Sequence, residues 1–185
     1  MLPWRLPFSL TTKEARLSTD DPQIDLDEFR RALGCFATGV AVVTTVDANG
    51  DWAGMTVSSF NSVSMDPPLV LWSIAHNSAN YETFMQAEYF AVNVLTIGQQ
   101  ELSSRFASRR TDKFDGIECR EGLHGAPILP EYAACFECRT EVCHDGGDHK
   151  IIVGRVLRLE DRDEDPLIFY RGHFHSKGEP NSGGR

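Results

Sequence analysis

Gly54-Met55-Thr56-Val57-Ser58-Ser59-Phe60-Asn61-Ser62-Val63-Ser64-Met65-Asp66-Pro67-Pro68-Leu69-Val70-Leu71-Trp72-Ser73-Ile74 is the stretch on which the fold of this chain turns. Its first part is rich in hydroxyls and β-branched residues, and it stays extended until Asp66-Pro67-Pro68 breaks it. Leu69–Ile74 then follows as an almost continuous apolar run, the pattern of a buried strand. Side chains alternate along a strand, so Thr56 and Ser58 point one way and Val57 and Ser59 the other. Hydroxyls gathered at a strand end suit either a bound ligand or plain water at a sheet edge. On pattern alone the water-facing edge is the simpler account.

Upstream, Val40–Val46 is short and β-branched. Asp47-Ala48-Asn49-Gly50 reads as a hairpin turn that leads into a return strand from Trp52 to Phe60. A helix is predicted over 26–37. Asp25 is its N-cap and Glu28 stands at capping-box spacing, while Leu26, Phe29, Leu33 and Phe36 form one apolar face. Thr38-Gly39 ends it. Downstream, short helices are expected over 78–87 and 99–107, and residues 108–130 are loop-rich. Strands are expected over 89–95, 132–143, 150–160 and 166–172. Many β segments with few short helices predict a mainly β chain, an antiparallel β-barrel with peripheral helices. No βαβ alternation is present, which counts against a Rossmann fold. We expect an N-terminal extension over 1–24, one folded domain over 25–175 and a disordered tail over 176–185.

The 185 residues suit one domain of this size. The 27 acidic against 18 basic residues leave a net charge of −9, which argues against binding a phosphate backbone. No apolar run approaches the roughly 18 residues that a membrane helix needs. Arg5 and two prolines interrupt residues 1–12 before a signal-peptide core can form. The five cysteines, an odd number, fit free thiols in a reducing, cytoplasmic compartment.

Neither GxGxxG after a strand nor a P-loop occurs. Asn77-Ser78-Ala79-Asn80 precedes a predicted helix, where free N–H groups suit an anion, although simple capping explains it as well. Cys135 and Cys138 have CxxC spacing, but on a strand their thiols face opposite sides and serve structure. His144-Asp145-Gly146-Gly147-Asp148-His149 reads as a turn that carries His149 onto the next strand, and no metal site is expected. Arg105-Phe106, Arg109-Arg110 and Lys113-Phe114 form the one basic cluster of an acidic chain. A solvated face is its default reading and phosphate recognition the alternative.

The pieces also fall into a familiar order. Phe29-Arg30-x-Ala32-Leu33-Gly34-x-Phe36-Ala37-Thr38-Gly39-Val40 resembles the opening of the short-chain flavin reductase family, and Gly54–Val70 resembles its central signature. Phe90-x-Val92-Asn93-Val94-Leu95, Asp112-Lys113-Phe114-x-Gly116, Gly147-Asp148-His149 and Pro166-Leu167-x-Phe169-Tyr170-x-Gly172 follow in register. The resemblance covers about residues 26–174 and is strongest to reductase components of two-component aromatic monooxygenases.

The resemblance implies an FMN-binding split β-barrel, usually a homodimer, that passes a hydride from NADH or NADPH to FMN or FAD for a separate oxygenase. It places Met55, Thr56, Val57, Ser58 and Ser59 at the flavin ring, with Thr38 and Gly39 nearby. Ser62, Asn77, Ser78 and Arg105 are implied partners of ribityl and phosphate, with Phe106 packing close. His149 is implied to position the nicotinamide, and Tyr170 to stand beside the ring. No arginine pair in the sequence marks a 2′-phosphate site, so NADH is the expected donor. Two other readings remain on the same barrel: a non-enzymatic flavin-binding protein, and an oxidase of the pyridoxamine-phosphate type, whose basic phosphate pattern is missing.

Overall fold

The computed structural model describes residues 23–178. The expected extension 1–24 therefore lies outside the described residues except for its last two positions, as does the tail from 179 onward. The elements in chain order are α1 (Leu26–Leu33), β1 (Thr38–Gly39), β2 (Ala41–Val46), β3 (Trp52–Val57), β4 (Asn61–Met65), β5 (Pro68–Ala75), α2 (Tyr81–Gln86), β6 (Tyr89–Val94) and α3 (Gln100–Ala107). There follow β7 (Arg120–Glu121), a single 3₁₀ turn (Leu123–Gly125), β8 (Pro127–Ile128), β9 (Ala134–Gly146), β10 (His149–Asp161), β11 (Ile168–Tyr170) and β12 (His173–His175).

Seven strands form one antiparallel sheet in the order β3-β2-β6-β9-β10-β5-β4. The sheet curls until its β3 edge comes back beside β5. Val43 and Val57 from one end share an interior with Trp72, Ile74, Phe90, Val92, Cys138 and Ile152 from the other strands. This is the split barrel. A second apolar cluster lies on the outer face of β2 and β3, where Val40, Val42 and Leu95 meet Phe106, Leu129 and Leu167. It docks α3 and the segment after it against the outside of the barrel.

Four local features differ from the sequence expectation. The first helix stops at Leu33 rather than 37. The amides of Cys35 and Phe36 turn back to Ala32 and Leu33 in tight 3.0 Å bonds, and the Gly34 carbonyl accepts the Arg171 N–H at 2.9 Å. The strand expected from Trp52 to Phe60 ends at Val57, because Ser59 leaves the ladder to bond β5. The chain after Pro166 is a hairpin, β11–β12, that turns at Arg171 (φ 49°) and Gly172 (φ 83°). β9 runs on to Gly146, three residues past its expected end, whereas β10 starts at His149, within one residue of expectation.

Strand parity does separate the CxxC pair. Cys138 faces the barrel interior, whereas Cys135 packs with Ala91, Ala126, Ile128 and Tyr132 on the other side. Burial pushes both thiols up to about 12. All five cysteines are free.

Candidate functional site

β3 is an edge strand, and one side of it stays open. It pairs with β2 along its whole length, Val43 opposite Met55 and Ala41 opposite Val57. The Gly54 carbonyl points away from β2, where it accepts Asn80 Nδ2 at 3.2 Å and Lys113 Nζ at 3.2 Å. Peptide groups two residues apart on a strand face the same side. The N–H and C=O of Thr56 are therefore directed to that open edge.

Hydroxyl-bearing residues follow this edge from end to end. Ser78 Oγ lies 3.9 Å from the Met55 sulfur and accepts the Asn80 amide at 3.3 Å. Ser59 Oγ spans the gap to β5, accepting the Ser73 N–H at 2.9 Å and donating to its carbonyl at 3.3 Å. Ser58 is exposed and, with Thr38, lines a groove of about 990 Å³ between α1 and the β11–β12 hairpin. That volume is at the upper end of the range for small-molecule sites, roughly 300–1,000 Å³. Thr38 Oγ1 is buried there without a partner among the described residues. Thr38 and Gly39 form β1, paired with Phe169 and Ile168, so Tyr170 is the next residue along the same ribbon. Its ring stands 5.9 Å from that of His175, and the Arg171 guanidinium is 5.5 Å from its centroid.

The other end of the open edge meets the β9–β10 turn. His149 pairs with Ala75, and the Asp148 carbonyl accepts the His76 N–H at 3.0 Å. This brings the Gly147-Asp148-His149 turn beside the loop that carries Asn77 and Ser78. His149 Nδ1 is 2.6 Å from Asp148 Oδ1. The hydrogen bond from His149 is the main reason the Asp148 carboxyl sits below its ordinary range.

Three residues expected at a ligand, Thr56, Val57 and Phe106, also serve the fold through their side chains. Thr56 Oγ1 donates to the Ser103 carbonyl of α3 at 2.7 Å, so that hydroxyl anchors β3 from outside. Phe106 is fully buried in the outer cluster, and the bare Gly54 backbone faces its ring. It backs the strand rather than facing the groove. Val57 is core, and Asn77 is exposed. Ser62 is exposed on β4, its N–H bonded to Asn61 Oδ1 at 2.9 Å.

The basic cluster is tied into local structure. Arg105 Nη2 donates to the Asp112 and Asp115 carbonyls at 2.8 and 2.6 Å, while its Nε is buried with no partner among the described residues. Arg110 grips Asp112 at 2.8 and 2.6 Å and holds that carboxyl down to about 2. Lys113 is buried and donates only to the Gly54 and Phe106 carbonyls among the described residues. Burial lowers its pKa. Sequence reasoning missed Ser73 at this edge, and it named Asn80 and Lys113 only as parts of the Asn77–Asn80 segment and the basic cluster. Asn80 stands directly before α2 and makes no capping hydrogen bond with its side chain, which leaves it free for the Gly54 carbonyl.

No group of potential metal ligands occurs among the described residues, and no helix among them is long and apolar enough to cross a membrane.

Comparison with known proteins agrees with this arrangement. Residues 33–178 match the model of the flavin reductase like domain. An FMN reductase (NADH), SmoA, of Agrobacterium fabrum is 51% identical over 146 residues, covering 79% of this chain and 83% of that protein. The flavin-dependent monooxygenase reductase subunit HsaB of Rhodococcus jostii is 43% identical, covering 82% and 77%. Among solved structures, the Streptomyces globisporus NADH:FAD oxidoreductase SgcE6, in complex with NAD and FAD fragments, superimposes with a TM-score of 0.79 at 34% identity, covering 85% of this chain and 95% of that one. With its open β3 edge, the groove beside Thr38 and Ser58 and matching residues over most of its length, this chain belongs to the flavin reductase-like domain family.

Proposed function

We propose that this chain is an NADH-dependent flavin reductase, transferring a hydride to FMN or FAD and releasing reduced flavin to a separate oxygenase component. The open edge of β3 carries this reading. An unpaired strand edge beside a large, largely apolar groove suits a planar heterocycle with polar rims, and the unpartnered Thr38 hydroxyl wants a polar group there. The similarity to an FMN reductase (NADH) and to a monooxygenase reductase subunit supports the donor and the partner.

A bound flavin supplies the electron-accepting ring, and the protein supplies position and electrostatics. The Thr38 and Ser58 hydroxyls and the Thr56 N–H are fixed donors at the polar rim. With a flavin bound, they would face its polar rim and favour negative charge there. Met55 and Ser78 support the ring's other end, and Tyr170 flanks it. Val57, Phe106 and the Thr56 hydroxyl hold β3 in place from the core and from α3, with Ser59 closing the seam and Gly39 in the ribbon beside it. Ser62, Asn77, Ser78 and Arg105 are proposed partners of ribityl and phosphate, with the Lys113 ammonium adding positive charge nearby. His149, held by Asp148, orients the nicotinamide. It takes no proton, since hydride transfer requires none at that step.

We further read residues 25–175 as the functional domain, a homodimer as the working form and the cytoplasm as its location. The apolar face of α1 supports the dimer: Leu26, Phe29 and Leu33, with Phe36 beyond the helix, stand 65, 48, 58 and 70% exposed on one protomer. The free thiols suit a reducing compartment.

NADH oxidation by purified protein, with and without FMN and then FAD, tests the reading. Flavin-dependent turnover is expected. Flavin binding without turnover of NADH or NADPH would instead identify a carrier.

A further inference from the structure

The flank of the groove that carries Thr38 and Ser58 is basic. Arg30 and Arg31 come from the last turn of α1 and Arg171 from the β11–β12 turn, against one lining carboxylate, Glu28. In a chain of net charge −9 this concentration of guanidinium groups is local and of opposite sign. Arg30 is engaged by Asp27 at 2.8 Å. The other two have no carboxylate partner among the described residues.

A chain of contacts holds these two together. Arg171 Nη2 donates to Cys35 Sγ at 3.3 Å, and that thiol in turn donates to the Arg31 carbonyl at 3.7 Å. The Arg171 N–H bonds the Gly34 carbonyl at 2.9 Å and fixes the turn in which Arg171 takes its positive φ. A thiol is a weak acceptor, so most of the Arg171 fork remains free for a stronger one. Arg171 also follows Tyr170, the residue placed beside the flavin ring. The pair is invisible in the sequence because Cys35 and Arg171 are 136 positions apart.

Guanidinium groups at the lip of an apolar groove match the diphosphate of a dinucleotide that extends from the open β3 edge to this flank. We propose that Arg31 and Arg171 form the anion subsite that binds the diphosphate of the incoming nicotinamide dinucleotide. This rests on the flavin reductase reading and adds to it the part of the donor that the subsite recognises. The same chemistry exists in the ADP half of FAD, so the two sources must be separated.

The test is steady-state turnover of the full-length protein and its Arg31→Ala and Arg171→Ala variants. The donors are NADH and N-benzyl-dihydronicotinamide, which has the reacting ring and no phosphate. The acceptors are FMN and FAD. Each variant is expected to raise KM for NADH by about tenfold, with FMN as acceptor and kcat nearly unchanged. It should leave kcat/KM for the benzyl donor within about twofold of wild type. Arg171→Lys, which retains charge without the fork, should fall between. The proposal is overturned if both donors lose efficiency together, which indicates a structural role. It is equally overturned if KM rises for FAD but not for NADH, which assigns the subsite to the flavin, or if nothing changes. A wild-type protein inert towards both donors would instead remove the reductase reading itself, and the subsite with it.

Discussion

Ser59 meets Ser73 with both halves of its hydroxyl, accepting the peptide N–H at 2.9 Å and donating to the carbonyl at 3.3 Å. One side chain thus supplies what a strand pairing would, at the seam where β3 and β5 face each other without a ladder. Ser59→Ala leaves the half-buried Ser73 amide without that acceptor, a loss of about 1–2 kcal/mol. For a chain of this size that corresponds to a Tm lower by roughly 2–8 °C. The seam also sets the spacing of the open edge, so flavin affinity should fall with stability. Thermal melts and flavin titrations of the variant check both, and an unchanged Tm would show that the bridge contributes nothing to closure.

Gly54 is needed for a close approach. A Cβ there would stand 2.8 Å from Phe106 Cε1 and 3.0 Å from Phe114 Cζ. Those rings pack edge to face at 4.9 Å and have little room to retreat. Gly54→Ala should cost about 1–3 kcal/mol through overpacking. Adding Phe106→Leu should make the double variant less unstable than the sum of the singles, because the substitutions share one contact. Denaturant titrations of the four proteins measure that coupling, and additivity would refute the clash.

These two positions show what was legible. The hydroxyl-rich stretch, the Asn49-Gly50 turn and the apolar run Leu69–Ile74 carry local patterns, and the mainly β architecture follows from them. The roles of individual hydroxyls do not. Thr56 and Ser59 look alike in the sequence, yet one bonds α3 and the other β5, a choice made by partners 47 and 14 positions away. Arg171 lies in a motif read for its tyrosine, and its neighbour Cys35 is likewise silent until the chain folds. The helix end at Leu33 was missed for the same reason, since Gly34 is held by the Arg171 amide. Parity on one strand, by contrast, is local, and it separated Cys135 from Cys138 correctly.

The thiols therefore divide by burial. Cys35 is exposed, whereas Cys135 and Cys138 are buried and pushed up to about 12. Near pH 8, iodoacetamide should modify Cys35 first and leave Cys135 and Cys138 untouched until the protein unfolds. The linkage has a definite sign. Unfolded thiols lose their protons near the ordinary value of 9.0, and the folded ones keep theirs to about 12. Stability from these two groups is thus full below that ordinary value and declines as pH rises through the window. Mass mapping of labelled peptides checks the order of reaction.

Lys113 titrates with the opposite sign. Burial depresses its pKa below 10.5, so between its folded and unfolded values the unfolded chain binds more protons. Stability should rise with pH across that window, by at most about 1.4 kcal/mol per pH unit for one proton. Lys113→Met keeps the apolar stem and removes this slope. The difference between the two pH–stability profiles isolates it from other lysines, and parallel profiles would show that the ammonium is effectively solvated.

The Asp148–His149 pair gives the sharpest test of how the donor is positioned. A carboxylate 2.6 Å from Nδ1 fixes both the ring's orientation and which nitrogen faces outward. Because His149 holds the Asp148 carboxyl below its ordinary range, the clamp should persist as pH falls into the mildly acidic region. His149→Ala should raise KM for NADH by about tenfold, the equivalent of one good hydrogen bond to the nicotinamide. Asp148→Asn should produce a smaller rise, since the ring stays but loses a charge-assisted partner. Both should leave kcat nearly intact, because a positioning group that moves no proton contributes to binding more than to the chemical step. A pH-dependent loss of kcat in His149→Ala would instead make the imidazole an acid or base. Wild-type values of kcat and KM in both variants would remove His149 from the site.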